Sequence, residues 1–316
     1  MTTLRIATRR SPLAKWQANH VAALLRAGDP ALTVALHELV TRGDRILEVP
    51  LSQVGGKGLF VKEIEDALLA QEAEVAVHSM KDLPAVVAPG LVIAAVPVRE
   101  DPRDALCAPR WRTLAALPQG ARVGTSSLRR GAQLKALRPD LSIEVIRGNV
   151  ETRLRKASEG LDAVVLAYAG LRRLGLAEHA TQVLEPGEML PAVAQGALAL
   201  EARADDAPTR ARLSALEDPA TRTCVDAERG FLARIEGGCQ VPIAGHATLQ
   251  GATVTVRALV AALDGSRIVR GERSGPAADA RALGEALAEE LLSRGAGAIL
   301  REAEGQAVPL GAPRRP

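Results

Sequence analysis

Aromatic side chains are nearly missing from this 316-residue chain, in which Trp, Phe and Tyr together make up 2%. Its interior must therefore be built from Ala, Val, Leu and Ile, and a surface that stacks nucleic-acid bases is excluded for want of rings. An excess of one charge is lacking too. Forty Lys and Arg face 37 Asp and Glu, a formal charge of +3, which is too little for a strongly basic nucleic-acid binder but leaves local patches open. No stretch approaches the roughly 18 uninterrupted apolar residues of a membrane span, and the first residues hold no apolar run of signal-peptide length. The cysteines, Cys107, Cys224 and Cys239, are odd in number, far apart and without metal-ligand spacing. Neither a disulfide framework nor a metal site is expected, and a reducing cytoplasm is the expected setting.

What is present is ordinary globular composition, 47% hydrophobic and 24% charged, at a length that suits two or three domains. Residues 4–8 read as a short strand. Ser11-Pro12 follows, with Ser at the N-cap and Pro at the first helical position. Leu13, Trp16, Val21, Leu24 and Leu25 then recur at helical spacing up to Gly28. A strand at 34–40, a glycine-rich loop at 55–58, a helix at 61–70 and a strand at 75–78 continue the alternation. A second unit of the same grammar begins after Pro102: strand 122–124, helix 128–137, strand 143–146, helix 150–158, a buried strand 162–166 and a helix opening at 170–175. A crossing at 186–191 leads to a strand at 194–202. Beyond Pro219 the order changes, with a helix at 225–235, strands at 244–249 and 253–263, and a helix at 277–293. The alternation predicts an α/β fold with mainly parallel sheets, followed by a smaller α+β domain. The Pro- and Arg-rich residues 309–316 are expected to be disordered.

Arginine gathers where predicted strands end and helices begin. Arg9-Arg10-Ser11 is one such place, and Thr125-Ser126-Ser127-Leu128-Arg129-Arg130 is another. Arg147-Gly148-Asn149 is a third, with Arg153 and Arg155 one turn into the following helix. Ligands of doubly wound sheets bind at the carboxyl ends of strands. Helix N-termini there offer N–H groups and a positive dipole end to anions, and guanidinium groups add bidentate bonds to carboxylates. Any one of these arginines reads equally well as a solvated surface charge; together they point to an anion-binding cleft. Within His78-Ser-Met-Lys-Asp-Leu-Pro84, Lys81 and Asp82 fall just past a strand. Asp82 as the cap of a turn before Pro84 is the plain reading. An acid inside a basic cleft also suits stabilisation of a developing cation.

Cys239, in Gly237-Gly-Cys-Gln-Val-Pro242, lies between a helix and a strand. A loop cysteine is structural by default, but two preceding glycines leave its thiol open, and an electropositive setting favours thiolate. Cys107 and Cys224 fall in apolar segments and read as packing residues. Gly55-Gly-Lys57-Gly-Leu-Phe60 lacks the spacing and the Ser/Thr of a nucleotide loop and reads as a mobile loop that closes over a cleft.

Several of these segments resemble, in order, the porphobilinogen deaminase (hydroxymethylbilane synthase) family. They are Ala7-Thr-Arg-Arg-Ser-Pro-Leu-Ala14 with Trp16-Gln17, Val54-Gly-Gly-Lys-Gly-Leu-Phe60, Ala76-Val-His-Ser-Met-Lys-Asp-Leu-Pro84, and Gly124-Thr-Ser-Ser-Leu-Arg-Arg130. Arg147-Gly-Asn149, Leu190-Pro-Ala-Val-Ala-Gln-Gly196 and Gly237-Gly-Cys-Gln-Val-Pro-Ile243 complete the set. The resemblance implies two lobes similar to periplasmic solute receptors, formed by 1–97 with 194–217 and by 98–193, and a third domain, 218–316. It implies a dipyrromethane cofactor held through a thioether on Cys239, and Asp82 as the catalytic group. Arg9, Ser11, Lys81, Thr125, Ser127, Arg129, Arg130, Arg147 and Arg153 would hold cofactor or substrate carboxylates, with Ser126, Arg173 and Gln195 beside them and Lys57 and Phe60 on the active-site loop. The implied reaction joins four porphobilinogen molecules with loss of ammonia, carried out by a cytoplasmic monomer with no nucleic-acid or membrane partner. The alternative is a non-catalytic anion receptor or sensor on the same two-lobed fold. The missing export signal, the open Gly-Gly-Cys and the third domain argue against it.

Overall fold

The computed structural model describes residues 3–41, 61–235 and 241–306. The expected loop at 55–60, Cys239 and the tail at 309–316 lie outside the described residues. The chain opens with β1 (Thr3–Arg9), α1 (Pro12–Gly28), β2 (Thr33–Leu39), α2 (Lys62–Leu69), β3 (Val75–Ser79) and β4 (Leu91–Ala95). It then crosses to β5 (Asp104–Cys107), β6 (Arg122–Gly124), α3 (Leu128–Leu137), β7 (Ser142–Glu144), α4 (Val150–Ser158), β8 (Ala163–Ala167), α5 (Tyr168–Arg173) and β9 (Gln182–Leu184). A second crossing returns it to β10 (Leu198–Arg203), which joins the first sheet.

The two five-stranded sheets share one plan, β2-β1-β3-β10-β4 in the first lobe and β7-β6-β8-β5-β9 in the second. In each, the strand in fourth position runs against the rest. β10 is antiparallel to β3 and β4, and β5 is antiparallel to β8 and β9, while the other neighbours pair in parallel. The parallel-rich α/β architecture expected from the alternation is present. The helices begin where capping chemistry puts them. Ser11 Oγ accepts from Ala14 N at 3.3 Å ahead of α1, Ser127 Oγ from Arg130 N at 3.4 Å ahead of α3, and Asn149 Oδ1 from Thr152 N at 2.8 Å ahead of α4. Each cap falls at the ligand edge of its sheet, just past β1, β6 or β7. Trp16 recurs with the apolar face of α1 yet is exposed. It stacks on His20 with ring centroids 5.0 Å apart and lies under the Arg173 guanidinium at 5.9 Å, because this end of α1 meets α5 of the other lobe.

After α6 (Ala207–Ser214), helix α7 (Pro219–Ile235) opens the third domain. An antiparallel meander follows, β11 (Ile243–Gln250), β12 (Thr253–Ala261) and β13 (Ile268–Pro276), and then α8 (Ala280–Leu291) and α9 (Gly297–Gln306). Helices α7 and α8 cross in backbone contact. A Cβ on Gly284 would stand 1.9 Å from the Ala227 carbonyl oxygen, so only glycine permits the approach. The helix expected over 277–293 is split: a tight 3-10 turn (Ala277–Asp279) precedes α8, and a wide turn kinked at Gly295 leads into α9. Strands β4, β5, β9 and β13 and helices α6 and α9 were not read from the sequence, and β9, at three residues, is too short to show a pattern. β13 turns Arg270, Glu272 and Ser274 to water and sets Gly271 and Gly275 against leucines of α8.

The third domain is braced against both lobes. Phe231, Val225 and Ile243 share a core with Met80, Leu83, Val96 and Val193, and Leu259, Ala244 and Ala261 pack on Ala132 and Leu190 of the second lobe. At the junction the Glu228 carboxylate, with no exposure, accepts from Arg99 Nη1 at 2.6 Å and Nη2 at 3.1 Å. It also accepts from Ala194 N at 2.5 Å and Ala247 N at 2.8 Å. One side chain thus ties both crossing segments to β11. Burial alone would raise its pKa, but the Arg99 guanidinium and His246 override that and hold it at about 2, below its ordinary 4.5. Removing one partner of a buried pair leaves the other uncompensated, so Glu228→Gln should cost about 3–5 kcal/mol in urea unfolding. Because the folded value is depressed, the carboxylate's contribution is complete above its unfolded pKa and is lost as pH falls from about 5 toward 2. The variant should flatten the acid limb of the stability profile over that range.

Candidate active-site cleft

The candidate side chains gather at the carboxyl ends of the parallel strands of both lobes. Arg9 ends β1 and Ser11 follows it. Past β3 a single 3-10 turn (Met80–Asp82) carries Lys81 and Asp82, with Ser79 fixed by a 2.8 Å bond from Gln17 Nε2. Arg9, Ser11, Gln17, His78, Ser79 and Asp82 line one pocket. Asp82 is exposed to it. Beneath, His78 Nε2 lies 3.0 Å from Glu201 Oε2, a pair buried between β3 and β10.

In the second lobe, Thr125 is buried and its hydroxyl accepts from Ser127 N at 3.2 Å, with half-buried Ser126 between them. Ser127 is spent in part as the cap of α3. Arg153 donates through Nε to Gly148 O at 2.9 Å and lies within electrostatic reach of Arg130, Arg147 and Asp82. The cluster read from separate segments of the sequence is therefore brought together. Lys57, Phe60 and Cys239 lie outside the described residues.

Burial lowers the basicity of three of these cations. Burial, reinforced by Arg130 and Arg129 and offset by Asp82 and Asp104, brings the Lys81 amine down from 10.5 to about 8. Burial with Arg130 and Arg147 nearby brings the Arg153 guanidinium down to about 10. Burial likewise lowers Arg173 to about 10, where Glu100 partly offsets it and Nη2 donates to Gly196 O at 2.6 Å. These are cations that gain from an anionic ligand.

Four of the expected ligand contacts are engaged inside the protein. Arg129 and Arg130, both 5% exposed, converge on the fully buried Asp104 carboxylate. Arg129 reaches it through Nη1 at 2.6 Å and Nη2 at 3.2 Å, and Arg130 through Nε at 3.0 Å and Nη2 at 2.8 Å. Gln195 Nε2 adds a bond at 2.8 Å, while its Oε1 accepts from Lys81 Nζ at 3.3 Å. Arg173, bonded to Gly196 as above, is the fourth. Burial would raise the Asp104 pKa, but the two guanidinium groups outweigh it and hold the carboxyl well below the usual carboxylate range. The segment carrying Gln195 is tightly turned. Ala194 has φ +57°, and Gly196 has φ +88° with no room for a Cβ, which would meet Glu100 O at 2.2 Å.

Sequence reasoning did not single out Asp104, nor Glu228 or the His78–Glu201 pair. A signal for Asp104 existed: an acid opening the apolar run Ala105-Leu-Cys-Ala108, which forms a strand buried throughout, must have partners.

Family models match most of the chain. One, described as porphobilinogen deaminase, dipyromethane cofactor binding domain, covers residues 4–211, and the porphobilinogen deaminase C-terminal domain covers 222–293. A porphobilinogen deaminase of Syntrophobacter fumaroxidans is 52% identical over 300 residues, 95% of this chain and 97% of the relative. One from Roseiflexus castenholzii is 54% identical over 299 residues, 94% of this chain and 98% of the relative. Among solved structures, a nutrient-binding protein from Burkholderia cenocepacia is similar with a TM-score of 0.41 and 14% identity, covering 66% of this chain and 89% of that one. Among the described residues no helix is long and apolar enough to cross a membrane.

The protonation of Lys81 tests the cleft directly. In cofactor-free protein its amine should titrate near 8, and a bound polycarboxylate such as citrate should move that value upward. Following the 13Cε resonance of Lys81 by NMR with and without citrate measures both. A titration near 10.5 in the free protein would show that burial does not disfavour the charged amine.

Proposed function

The chain belongs to the porphobilinogen deaminase family, and from that premise we propose that it condenses four porphobilinogen molecules head to tail, releasing ammonia, and hydrolyses off hydroxymethylbilane. The observation that carries the reading is a carboxylate, Asp82, exposed in a cleft where Arg9, Lys81, Arg130, Arg147 and Arg153 gather at the strand ends of two lobes.

The family's dipyrromethane cofactor fits this donor set. Each of its rings carries an acetate and a propionate, and the lowered pKa values of Lys81 and Arg153 mark cations that such carboxylates would relieve. When bound, the cofactor supplies a tethered nucleophilic pyrrole carbon, which makes each coupling effectively intramolecular. Cys239 is the proposed thioether anchor. Arg9, Lys81, Arg147 and Arg153 take carboxylates of cofactor and growing chain. Ser11, Thr125, Ser126 and Ser127 add hydroxyl and N–H donors at the starts of α1 and α3. Arg129, Arg130, Arg173 and Gln195 contribute whatever donors their internal bonds leave. Lys57 and Phe60 belong to the loop over the site.

Loss of ammonia from the aminomethyl carbon leaves a cation with charge spread onto the pyrrole nitrogen. Asp82 accepts the hydrogen bond from that N–H and stabilises the charge, the more strongly as ligand displaces water from the cleft. The surrounding arginines hold the substrate by its carboxylates, away from the reacting carbon, so that their positive charge does not oppose the developing one.

Residues 1–97 with 194–217, 98–193 and 218–316 form the three domains in this reading, which the return of β10 to the first sheet supports. The protein acts as a cytoplasmic monomer on a small molecule, without nucleic acid.

Asp82→Asn should fold like the wild type, since the side chain is exposed, and lose about 10²–10³ in kcat. Near-normal turnover in that variant would remove Asp82 from its role. Intact mass of the denatured protein, against Cys239→Ser, tests the anchor: an excess of two pyrrole units is expected in the wild type and not in the variant.

A further inference from the structure

The Asp104 carboxylate is not among the groups that the functional reading uses, yet it stands at the ligand edge of the second lobe. β5 runs against its neighbours, so its first residue lies where the parallel strands finish, with Asp104 opposite Ala167 at the end of β8. We propose that Asp104 is a positioning residue for the condensation, which fixes the N–H groups that Arg129 and Arg130 present to ligand carboxylates. The proposal rests on the porphobilinogen-condensing reading above.

The bonding of the two guanidinium groups carries it. Arg129 spends three N–H groups inside the lobe, two on Asp104 and one on Leu190 O at 2.8 Å. Arg130 spends Nε and one Nη2 proton on Asp104, its other Nη2 proton on Gln195 Oε1 at 3.5 Å, and one Nη1 proton on Val165 O at 3.1 Å. Each group is thereby locked on its inner edge, and only the remaining protons can meet a ligand. The charge is set as well, since one carboxylate cancels one of two cations. Through Gln195, which bonds Asp104 on one side and Lys81 on the other, the same carboxylate is linked across the lobes to the residue next to Asp82.

Stability alone does not account for a charged cluster here. Well-packed apolar side chains replace buried ion pairs at little or no cost, whereas only a carboxylate holds two guanidinium planes in a defined orientation. Groups that hold substrate carboxylates bind ground and transition states alike, so misorienting them raises KM more than it lowers kcat.

The test compares Asp104→Asn, Asp104→Glu and Leu106→Ala, the last removing a fully buried core side chain from the same strand. Each is expressed as full chain and read by intact mass, by thermal melting and by KM and kcat for porphobilinogen. Asp104→Asn should lose primer mass from much of the population and raise KM by about tenfold or more in the loaded fraction. Asp104→Glu should recover part of both. Leu106→Ala should melt lower yet carry full primer mass with wild-type KM. If Asp104→Asn does not fold, Asp104→Glu decides, with a raised KM expected in a protein that melts cooperatively. Wild-type primer mass and KM in the folded Asp104 variants would overturn the inference, as would an equal rise in KM in Leu106→Ala. A wild type with no primer mass would instead overturn the functional reading, and the inference with it.

Discussion

An ionised carboxylate without exposure to water is costly to bury, and Asp104 is tolerated only because two guanidinium groups and an amide close around it. The dependence also runs the other way. Arg129 and Arg130 are almost fully buried and adjacent in sequence, so without an anion between them their charges would repel across a low-dielectric site. The cluster therefore defines the end of the second lobe. It holds the start of α3 against β5 and β8, and it joins both to the returning segment that carries Gln195.

Around that neutralising centre the cleft gathers further cations, and burial makes the charge of two of them costly. Lys81 and Arg153 lose basicity to burial and to their neighbours, which means that free energy of folding is withheld at these positions. A polycarboxylate that binds the folded state restores it and stabilises the protein by mass action. Asp82 is placed differently from Asp104. It stays exposed on a turn held by Gln17 through Ser79, free of the bidentate pairing that occupies Asp104. Two aspartates in one cleft thus take different parts because one is enclosed by guanidinium groups and the other faces the ligand space.

Much of this was legible in the sequence where local chemistry decides structure. Ser11-Pro12 reads as a helix start and caps α1, and the starts of α3 and α4 were read in place, where Ser127 and Asn149 prove to be the caps. Arginines just beyond predicted strands had to meet at one edge once the sheets were parallel, because parallel strands finish on the same side. What could not be read depends on contacts between distant segments. Asp104 and Gln195 are 91 residues apart, and nothing in either local pattern names the other. Glu228 looks like a surface residue of an amphipathic helix until Arg99 and β11 are brought to it. The engagement of Arg129 and Arg130 was equally hidden, since spacing reveals a cation near a site but not which acceptor takes its protons. Short or polar strands such as β9 and β13 were missed because their pairing, rather than their hydrophobicity, makes them strands.

The reversed strand of each sheet explains why these distant groups share one place. A strand that runs against its neighbours begins where they end, so the entry to β5 and the entry to β10 both lie at the ligand edge. Those entries are also where the chain crosses between lobes. Arg99 on the outgoing segment donates through Nε to the Gln195 carbonyl at 2.8 Å on the returning one, and Glu228 binds both segments from the third domain. The amide of the same Gln195 holds Asp104. Gln195 thus meets the outgoing segment through its carbonyl and the Asp104 cluster through its amide, so the connection between the lobes and the orientation of the arginines share one residue.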